Sequence, residues 1–239
     1  MTEALYHTDS YLKEFDAVVS TVNPETRAVT LDRTAFYPGG GGQPCDQGSL
    51  SRGSLTWTVE KTRKGEAGIE HLLGGDAPLP AVGETLHGML DWERRYKLMR
   101  THTAMHILCG VIFRDFGAQV TGGDMDLAQA RMDFEFESMT HELVEVIEKA
   151  VNVEVEKDAL IRVRILPREE AFAIPDLIRT KINLLPPGIA EVRTGEIVGL
   201  ALQADGGTHV QSTREVGQIK IVDYKSKGRI NKRVYVELG

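Results

Sequence analysis

The stretch DWERRYKLMRTHTAMHILCGVIFRDFG, residues 91–117, decides the fold predicted for this chain. Its apolar residues recur at helical spacing, Asp91 stands where an N-terminal cap is needed, and a glycine ends the pattern. Inside it, His102 and His106 are four positions apart and therefore project from the same face of a helix. Two such imidazoles can bind a metal ion, although a pair like this is more often structural. Because a zinc site needs three or four ligands, further ligands must come from elsewhere in the chain.

The residues before this helix have the pattern of a small β-domain. Short alternating segments, FDAVVSTVN, RAVTLDRT and LTWTVEKT, are separated by the turn-forming segments NPET, YPGGGGQPCDQG and RKGEAG. An antiparallel barrel or sandwich would close such a domain, and we predict a small glycine-rich β-barrel over residues 1–90. The segment GGDAPLPAVGE leads to the expected domain boundary before Asp91.

Residues 91–239 mix helical and strand patterns. THELVEVIEKAVNVEVEKD begins with a Thr cap and has apolar residues at helical spacing, whereas ARMDFEFE, LIRVRILP, IAEVRTG, ALQADGGTHVQST, GQIKIVDYKS and INKRVYVEL alternate like strands. We therefore predict an α+β fold, in which a two-layer domain of helices on an antiparallel sheet follows the barrel. The segment EEAFAIPDLIRTKINLLPPG has mixed signals and is assigned no element.

Composition limits the partners. The chain has 239 residues, 41% of them hydrophobic, and a net charge of −7. RNA binding would therefore depend on local basic patches rather than on overall charge. No apolar run reaches the roughly 20 residues that span a bilayer, the first residues lack a secretory signal, and two cysteines do not imply a disulfide framework. We expect a cytoplasmic protein without a membrane or DNA partner, and its oligomeric state stays open.

The segment QADGGTHVQST contains the best candidates for further metal ligands. Asp205 and His209 flank two glycines that permit a close approach of the backbone, although a polar turn at a strand end is the simpler interpretation. Cys109 follows His106 on the helix and is better interpreted as a small buried thiol. The remaining histidines stand in turn-like or exposed contexts and are assigned no functional role: His7, His71, His87 and His141.

Three motifs occur in order along the chain: TAFYPGGGGQPCDQG, HTAMH and DGGTHVQSTREVG. Together they resemble the freestanding alanyl-tRNA editing proteins, the AlaX family. That family is similar to the editing part of alanyl-tRNA synthetase and, more distantly, to the second additional domain of threonyl-tRNA synthetase. The resemblance covers residues 15–238, and the length is similar to that of the medium-sized members. It implies that the chain hydrolyses the ester joining serine, or also glycine, to the acceptor end of alanine tRNA. It also implies one zinc ion per chain, bound in an editing domain over residues 91–239.

The resemblance further implies the metal ligands. The family pattern pairs an HxxxH helix with a CxxxH segment, and His102, His106 and His209 match three of these positions. Asp205 stands where the pattern has cysteine. A carboxylate oxygen also binds zinc, so Asp205 can replace the thiolate. Alternatively, three histidines hold the ion, water completes the tetrahedron, and Asp205 orients a ligand.

Thr34 and Gln43 match polar positions of the family motif in LDRTAFYPGGGGQP. A pocket sized for alanine rejects an added hydroxyl by only about a hundredfold. A site that must hydrogen-bond the serine hydroxyl rejects alanine, because its polar groups would be left unpaired. We predict that Thr34 recognises this hydroxyl and that Gln43 helps hold it or the attacking water. Close approach of the backbone is assigned to Gly40, Gly41 and Gly42. The alternative is a glycine-rich hairpin without a functional role.

Two basic stretches are candidates for contacts with RNA phosphates. Around a hairpin turn expected at Gly228, DYKSKGRINKRVYV contains Lys225, Lys227, Arg229, Lys232 and Arg233. Before the histidine pair, WERRYKLMR contains Arg94, Arg95, Lys97 and Arg100. The alternative for both is a solvated basic face, which is the usual meaning of such runs.

Two further functions compete with zinc-dependent deacylation. One is a non-catalytic tRNA-binding module that keeps the editing fold with a decayed metal site, which the aspartate at position 205 would explain. The other is a zinc hydrolase for a different ester or peptide. This one is disfavoured, because Thr103 stands where an HExxH protease has its glutamate.

Overall fold

The structure, a computed structural model, describes residues 2–181, 185 and 188–239. The chain forms two compact units, Met1–Lys97 and Leu98–Gly239. Within the described residues, no helix has the length and apolar character needed to cross a membrane.

The first unit is built from short strands. They are β1 Glu3–Ala4, β2 Glu14–Asn23, β3 Ala28–Leu31, β4 Arg33–Thr34, β5 Gly48–Arg52, β6 Leu55–Gly65, β7 Gly68–Leu73 and β8 Thr85–Leu90, with a short 3₁₀ helix at Leu5–His7. Among the described residues, six strands close into a barrel in the order β2-β3-β7-β6-β5-β8, and all neighbours are antiparallel. The predicted barrel is therefore confirmed, and β1 and β4 form a separate parallel pair.

Alternation along the strands explains the barrel. In β2 every second residue from Phe15 to Val19 is buried, and β8 follows the same pattern. The inward side chains form one apolar cluster that includes Leu31, Leu50 and Trp57. Closure of the sheet also removes exposed strand edges, which a small open sheet would leave unpaired.

The segment between β4 and β5 contains the glycine-rich motif. The backbones of Gly40 and Gln43 exchange two hydrogen bonds of 3.0 Å. The two residues between them, Gly41 and Gly42, have φ angles of 58° and 88°. A two-residue turn with positive φ at both central positions favours glycine. The motif therefore forms a tight turn of its own within this loop.

A buried ion pair holds this loop. Arg95 is 0% exposed and Asp46 is 1% exposed, and the guanidinium donates to both carboxylate oxygens. Arg95 also donates to the carbonyl of Ala35, while Asp46 accepts the backbone N–H of Tyr37. The expectation that Arg95 contacts phosphate is therefore wrong, because its charge is neutralised inside the protein.

The helix α1, Trp92–Phe116, runs through the division between the two units. Asp91 caps it by accepting the N–H of Arg94 at 3.0 Å, and Gly117 ends it with a φ of 66°. The domain boundary before Asp91 stays a prediction. The Arg95–Asp46 ion pair holds the first turn of α1 within the first compact unit.

In the described part of the second unit there are two antiparallel sheets and further helices. Its elements after α1 are β9 Val120–Asp126, β10 Gln129–Glu135, α2 His141–Glu156, β11 Ile161–Pro167, α3 Arg168–Phe172, β12 Glu191–Ile197, β13 Ala201–Ala204, β14 Ile219–Ser226 and β15 Asn231–Leu238, with a 3₁₀ helix at Thr213–Val216. The sheet orders are β14-β15-β10-β9 and β11-β12-β13. Helices on antiparallel sheets confirm the predicted α+β class, with two sheets in place of one.

The helix α2 shows how a helix is held on its sheet. Thr140 accepts the N–H of Leu143 and caps the helix, as its sequence predicts. Asn152 exchanges hydrogen bonds with the backbone of Ile219, and Glu148 accepts the N–H of Ile221. The unassigned segment EEAFAIPDLIRTKINLLPPG includes all of α3 except its first residue, Arg168, and its residues 182–184, 186 and 187 lie outside the described residues.

We expect Asp46→Asn to destabilise the first unit, because it leaves the Arg95 charge buried without its partner. Breaking a buried pair on one side costs about 3–5 kcal/mol. Both tryptophans, Trp57 and Trp92, lie in this unit, so tryptophan fluorescence during urea unfolding measures the effect. The control is Glu93→Gln, which removes an exposed ion pair with Lys97 and should change little. Equal midpoints for Asp46→Asn and the parent would contradict the prediction.

Candidate metal centre

Four side chains of the second unit meet at one point: His102, His106, Asp205 and His209. The two helical histidines lie one turn apart on α1, and the other two follow the end of β13. One ligand atom from each lies within 4.8 Å of all the others. The convergence that the sequence analysis required of His209 is therefore present, with its ring centroid 4.7 Å from those of both helical histidines.

A glycine allows the two elements to approach. A Cβ atom at Gly110 of α1 would lie 2.8 Å from Leu200 and 3.2 Å from Ala201 at the start of β13. Glycine inside a helix costs roughly 1 kcal/mol relative to alanine. The close packing of α1 on β13 accounts for its presence, and that packing places Asp205 beside the helical imidazoles.

Three of the donor atoms have the separations expected around a tetrahedral ion. Two ligand atoms on a zinc ion at about 2.1 Å are separated by roughly 3.4 Å. The Nε2 atoms of His102 and His106 are 3.1 Å apart, and Asp205 Oδ1 lies 3.3 Å and 3.7 Å from them. His209 Nε2 lies 2.9 Å from Asp205 Oδ2. The separations among His102 Nε2, His106 Nε2 and Asp205 Oδ1 approximate one face of a tetrahedron. His209 contacts the other carboxylate oxygen, and one ligand atom from each of the four side chains lies within 4.8 Å of all the others.

The protonation states also suit a metal. Burial lowers the pKa of His106 to about 4 and holds the pKa of His102 well below its usual value. Both imidazoles are therefore neutral at pH 7, as metal ligands must be. Burial acts to raise the pKa of Asp205, but its interactions with His209 and His102 outweigh burial and hold the pKa well below its usual range. The carboxylate is thus ionised and available as a ligand.

Two residues that the sequence analysis did not assign to the site support its ligands. Arg193 of β12 donates to Asp205 Oδ2 at 2.9 Å and to the Asp205 carbonyl at 3.1 Å. Thr103 Oγ1 lies 3.0 Å from His209 Nδ1. Thr103 thus orients the ring of His209 through Nδ1, while Nε2 faces the Asp205 carboxylate. Arg193 fixes the carboxylate and balances its charge.

Cys109 is a buried thiol rather than a ligand, as its sequence context predicts. It is 2% exposed, and its Sγ donates to Gln203 Oε1 at 3.4 Å. Burial raises the pKa of Cys109 to about 12, so the thiolate is absent at neutral pH. A thiolate is the form that binds metal.

In the first unit, Thr34 and Gln43 are both buried, at 0% and 2% exposure. Thr34 Oγ1 lies 2.8 Å from Nε2 of His71 and accepts the N–H of Phe36 at 3.1 Å. His71 is fully buried, so its assignment to a turn-like or exposed context is wrong. It lies in β7, where alternation places it on the inward face with Ile69 and Leu73. That alternation was the available signal, but this strand was not recognised.

The basic hairpin between β14 and β15 is only partly available to RNA. Lys225, Lys227 and Arg229 are exposed, although Lys225 pairs with Asp223 at 3.1 Å. Arg233 forms two hydrogen bonds with Asp133. The expectation for Lys232 is corrected: it is 6% exposed, and its ammonium donates to the carbonyls of Gly228 and Arg229. Its charge stabilises the turn of the hairpin.

The other basic residues near α1 have internal partners as well. Arg94 donates to the carbonyl of Cys45, and Arg100 donates to the carbonyls of Val216 and Gly239. Lys97 pairs with Glu93 one helical turn earlier. The basic residues of WERRYKLMR therefore form mainly intramolecular hydrogen bonds and ion pairs.

Known proteins match both halves of the chain. Residues 4–94 match the family of class II (A) tRNA synthetases, and residues 192–235 match the second additional domain of threonyl and alanyl tRNA synthetases. An alanyl-tRNA editing protein AlaX-M of Saccharolobus solfataricus is 43% identical over 98% of both chains. One of Methanosarcina barkeri is 38% identical over 100% of this chain and 99% of its own length. The chain belongs to the AlaX-M alanyl-tRNA editing proteins.

Full synthetases contain a region similar to this AlaX-M chain. The alanine–tRNA ligase of Ignicoccus hospitalis is 37% identical over 92% of this chain, which corresponds to 24% of the ligase. The similarity includes both compact units, since 92% of the chain exceeds either unit alone.

We expect His209→Ala to lose bound metal, because it removes one of the converging donors and the contact with Thr103. Elemental analysis of the purified protein measures metal per chain. His141→Ala is the matched control: that imidazole is 74% exposed on α2 and should not affect metal content. An unchanged metal content in His209→Ala, with the parent loaded, would rule out His209 as a ligand.

Proposed function

We propose that this chain is a zinc-dependent trans-editing deacylase that hydrolyses the ester between serine and alanine tRNA, with the glycine ester left as an open alternative. It would act in the cytoplasm on the acceptor end of the tRNA. The observation that supports this most is the convergence of three imidazoles and a carboxylate in a chain of the AlaX-M family. An intact set of donors argues against a tRNA-binding module with a decayed metal site.

The proposed ligands of one zinc ion per chain are His102, His106, His209 and Asp205. A zinc ion polarises an ester carbonyl and lowers the pKa of a bound water, which is the chemistry that hydrolysis at neutral pH requires. In this chain burial lowers the pKa of His102 and of His106, which keeps both imidazoles in the neutral form that binds metal. Arg193 holds the carboxylate in place and Thr103 holds the ring of His209. We assign this metal chemistry to the editing domain, residues 91–239.

The first unit, predicted as a glycine-rich domain over residues 1–90, would distinguish the amino acid. We assign recognition of the serine hydroxyl to Thr34, and we assign to Gln43 a role in holding that hydroxyl or the attacking water. The tight turn at Gly40, Gly41 and Gly42 would let the backbone approach the substrate. Because Thr34 has no exposed surface, a serine side chain can reach it only if the surrounding chain moves.

The proposed RNA contacts are the exposed cations of the hairpin, Lys225, Lys227 and Arg229, with Arg233 beside them. Phosphate contacts position a nucleic acid without identifying its sequence. The hairpin would therefore contribute affinity for the acceptor end of the tRNA rather than the choice of alanine tRNA.

The proposed function is tested by release of serine from seryl-tRNA(Ala) at neutral pH. We expect the metal-loaded protein to release serine faster than alanine from alanyl-tRNA(Ala), and we expect His209→Ala to lose most of this activity. His141→Ala again serves as the control. Serine release by His209→Ala at the parent rate would contradict the role of the metal centre, and no release by the loaded parent would contradict the function itself.

We expect the double charge reversal Lys225→Glu and Lys227→Glu to raise the KM for tRNA and flatten its dependence on salt. Each phosphate contact contributes roughly one unit to the slope of log affinity against log salt. The matched control is Lys61→Glu with Lys64→Glu, two exposed lysines of β6. If both double variants give the same KM and salt slope, the hairpin is a solvated basic face.

A further inference from the structure

A chain of buried hydrogen bonds crosses the interior of the first unit from β3 to the segment after β4. His71 Nδ1 lies 3.2 Å from the carbonyl oxygen of Val29. The other ring nitrogen, Nε2, lies 2.8 Å from Thr34 Oγ1, which in turn accepts the N–H of Phe36 at 3.1 Å. Thr34 and His71 are both 0% exposed. Water therefore does not compete for these hydrogen bonds.

The partners determine the direction of each hydrogen bond. A carbonyl oxygen only accepts, so Nδ1 of His71 carries the proton that points to Val29. Burial lowers the pKa of His71 to about 4, so the ring is neutral at pH 7 and has a single N–H. Nε2 is therefore an acceptor, and the hydrogen bond of 2.8 Å must come from the Thr34 hydroxyl.

The direction of the Thr34–His71 hydrogen bond determines whether the Thr34 hydroxyl can donate to or accept from a further partner. Its only hydrogen is donated to His71, and one of its two lone pairs accepts the N–H of Phe36. Among the contacts of the described residues, one lone pair of Thr34 is left. Thr34 can therefore accept a third hydrogen bond, but it has no hydrogen left to donate.

The ring of His71 is also fixed in orientation. It packs edge-on against the ring of Phe36, with centroids 5.4 Å apart and an interplanar angle of 82°. Its strand neighbours on the same face, Ile69 and Leu73, are buried as well. The imidazole therefore cannot turn to exchange its two nitrogens without disturbing the core, and the polarity of the Thr34 hydroxyl is fixed in advance of binding.

We propose that His71 is a positioning residue for substrate selection: it holds the Thr34 hydroxyl as an acceptor-only group, which binds a substrate side chain that donates a hydrogen bond. The inference rests on the proposed function of Thr34. A serine hydroxyl supplies the required donor. The methyl group of alanine does not, and it would leave the buried lone pair unpaired, which disfavours binding.

A double-mutant cycle tests the proposal with Thr34→Val, His71→Leu and the two combined. The readout is the ratio of kcat/KM for seryl-tRNA(Ala) over alanyl-tRNA(Ala). Loss of one hydrogen bond to a buried group predicts a fall in this ratio on the order of tenfold in each single variant. Because His71 acts through Thr34, the combined variant should show no further fall. An additive loss, or an unchanged ratio in His71→Leu, overturns the proposal.

A core substitution also perturbs packing, so the cycle needs a control. Leu73→Ala removes apolar contacts from the same face of the same strand without touching Thr34. We expect it to lower the unfolding midpoint measured by tryptophan fluorescence and to leave the selectivity ratio unchanged. A fall in the ratio for Leu73→Ala equal to that of His71→Leu would make the effect one of general packing and overturn the positioning role.

A spectroscopic measurement keeps the proposal testable even if His71→Leu does not fold. In the parent protein, ¹⁵N NMR of the imidazole nitrogens distinguishes a protonated from an unprotonated site. We expect His71 to be protonated at Nδ1 and unprotonated at Nε2 near pH 7. Protonation at Nε2 would reverse the direction of the Thr34 hydrogen bond and overturn the proposal.

The outcomes separate this inference from the function on which it rests. If the metal-loaded parent releases no serine, the proposed function fails and the selection role fails with it. If the parent is active and selective but His71→Leu keeps that selectivity, only the role of His71 is lost. If Thr34→Val slows the seryl and alanyl esters equally, Thr34 contacts a group common to both substrates, and the side-chain selection by the His71–Thr34 pair is overturned.

Discussion

The carboxylate of Asp205 is the interaction on which the second unit's site depends. One oxygen contacts Arg193 and His209, and the other faces the two helical imidazoles and accepts the N–H of Gly207. Without this negative charge, the buried guanidinium of Arg193 and the three imidazoles would lose the carboxylate that contacts them all. A divalent cation at this point would find one carboxylate and three imidazoles, with the guanidinium of Arg193 on the far oxygen of the carboxylate. The Asp205 carboxylate therefore connects Arg193 of β12 and the end of β13 to the two histidines of α1.

The first unit also contains a buried carboxylate paired with an arginine, and there the pair holds a loop. The buried pair of Arg95 and Asp46 is surrounded by backbone hydrogen bonds that hold the loop from Ala35 to Asp46. A buried charge pair contributes little net stability compared with an apolar pair, but it tolerates few alternative arrangements. The Arg95–Asp46 pair therefore holds the loop that contains the glycine-rich turn in one position. Asp46 in the first unit and Asp205 in the second thus each have a buried carboxylate near the residues to which the proposed chemistry of that unit is assigned.

Local patterns predicted much of this fold. The caps of α1 and α2 and the alternation of β2, β6, β14 and β15 are visible in the sequence, and the spacing of His102 and His106 placed them on one face. Local spacing could not bring Asp205 and His209 to that face, because this depends on how β13 packs against α1; the ligand-type residues around two glycines made them candidates, and the family resemblance assigned them to the site. The sequence-based predictions failed mainly in the partners that they assigned to charged side chains. Arg95 belongs to a basic run yet is buried by an aspartate 49 positions earlier in the chain.

The burial of Lys232 and of His71 was also mispredicted, although the alternation of residues along their strands indicates it. Lys232 shares the inward face of β15 with Val234 and Val236, and His71 shares that of β7 with Ile69 and Leu73. In both cases the residue type suggested the surface, while the position in the strand indicated the interior. The position decided the outcome, because each polar group finds hydrogen-bond partners there.

The donor set also has a consequence for chemical durability. With aspartate in place of cysteine, the four converging side chains contain no sulfur, and the nearby thiol of Cys109 is held in its unreactive form by burial. Peroxides and disulfides attack metal centres chiefly through thiolate ligands. A cation held by imidazole and carboxylate alone would be insensitive to that attack. The same substitution makes the centre harder, and therefore less selective for zinc over other first-row metals.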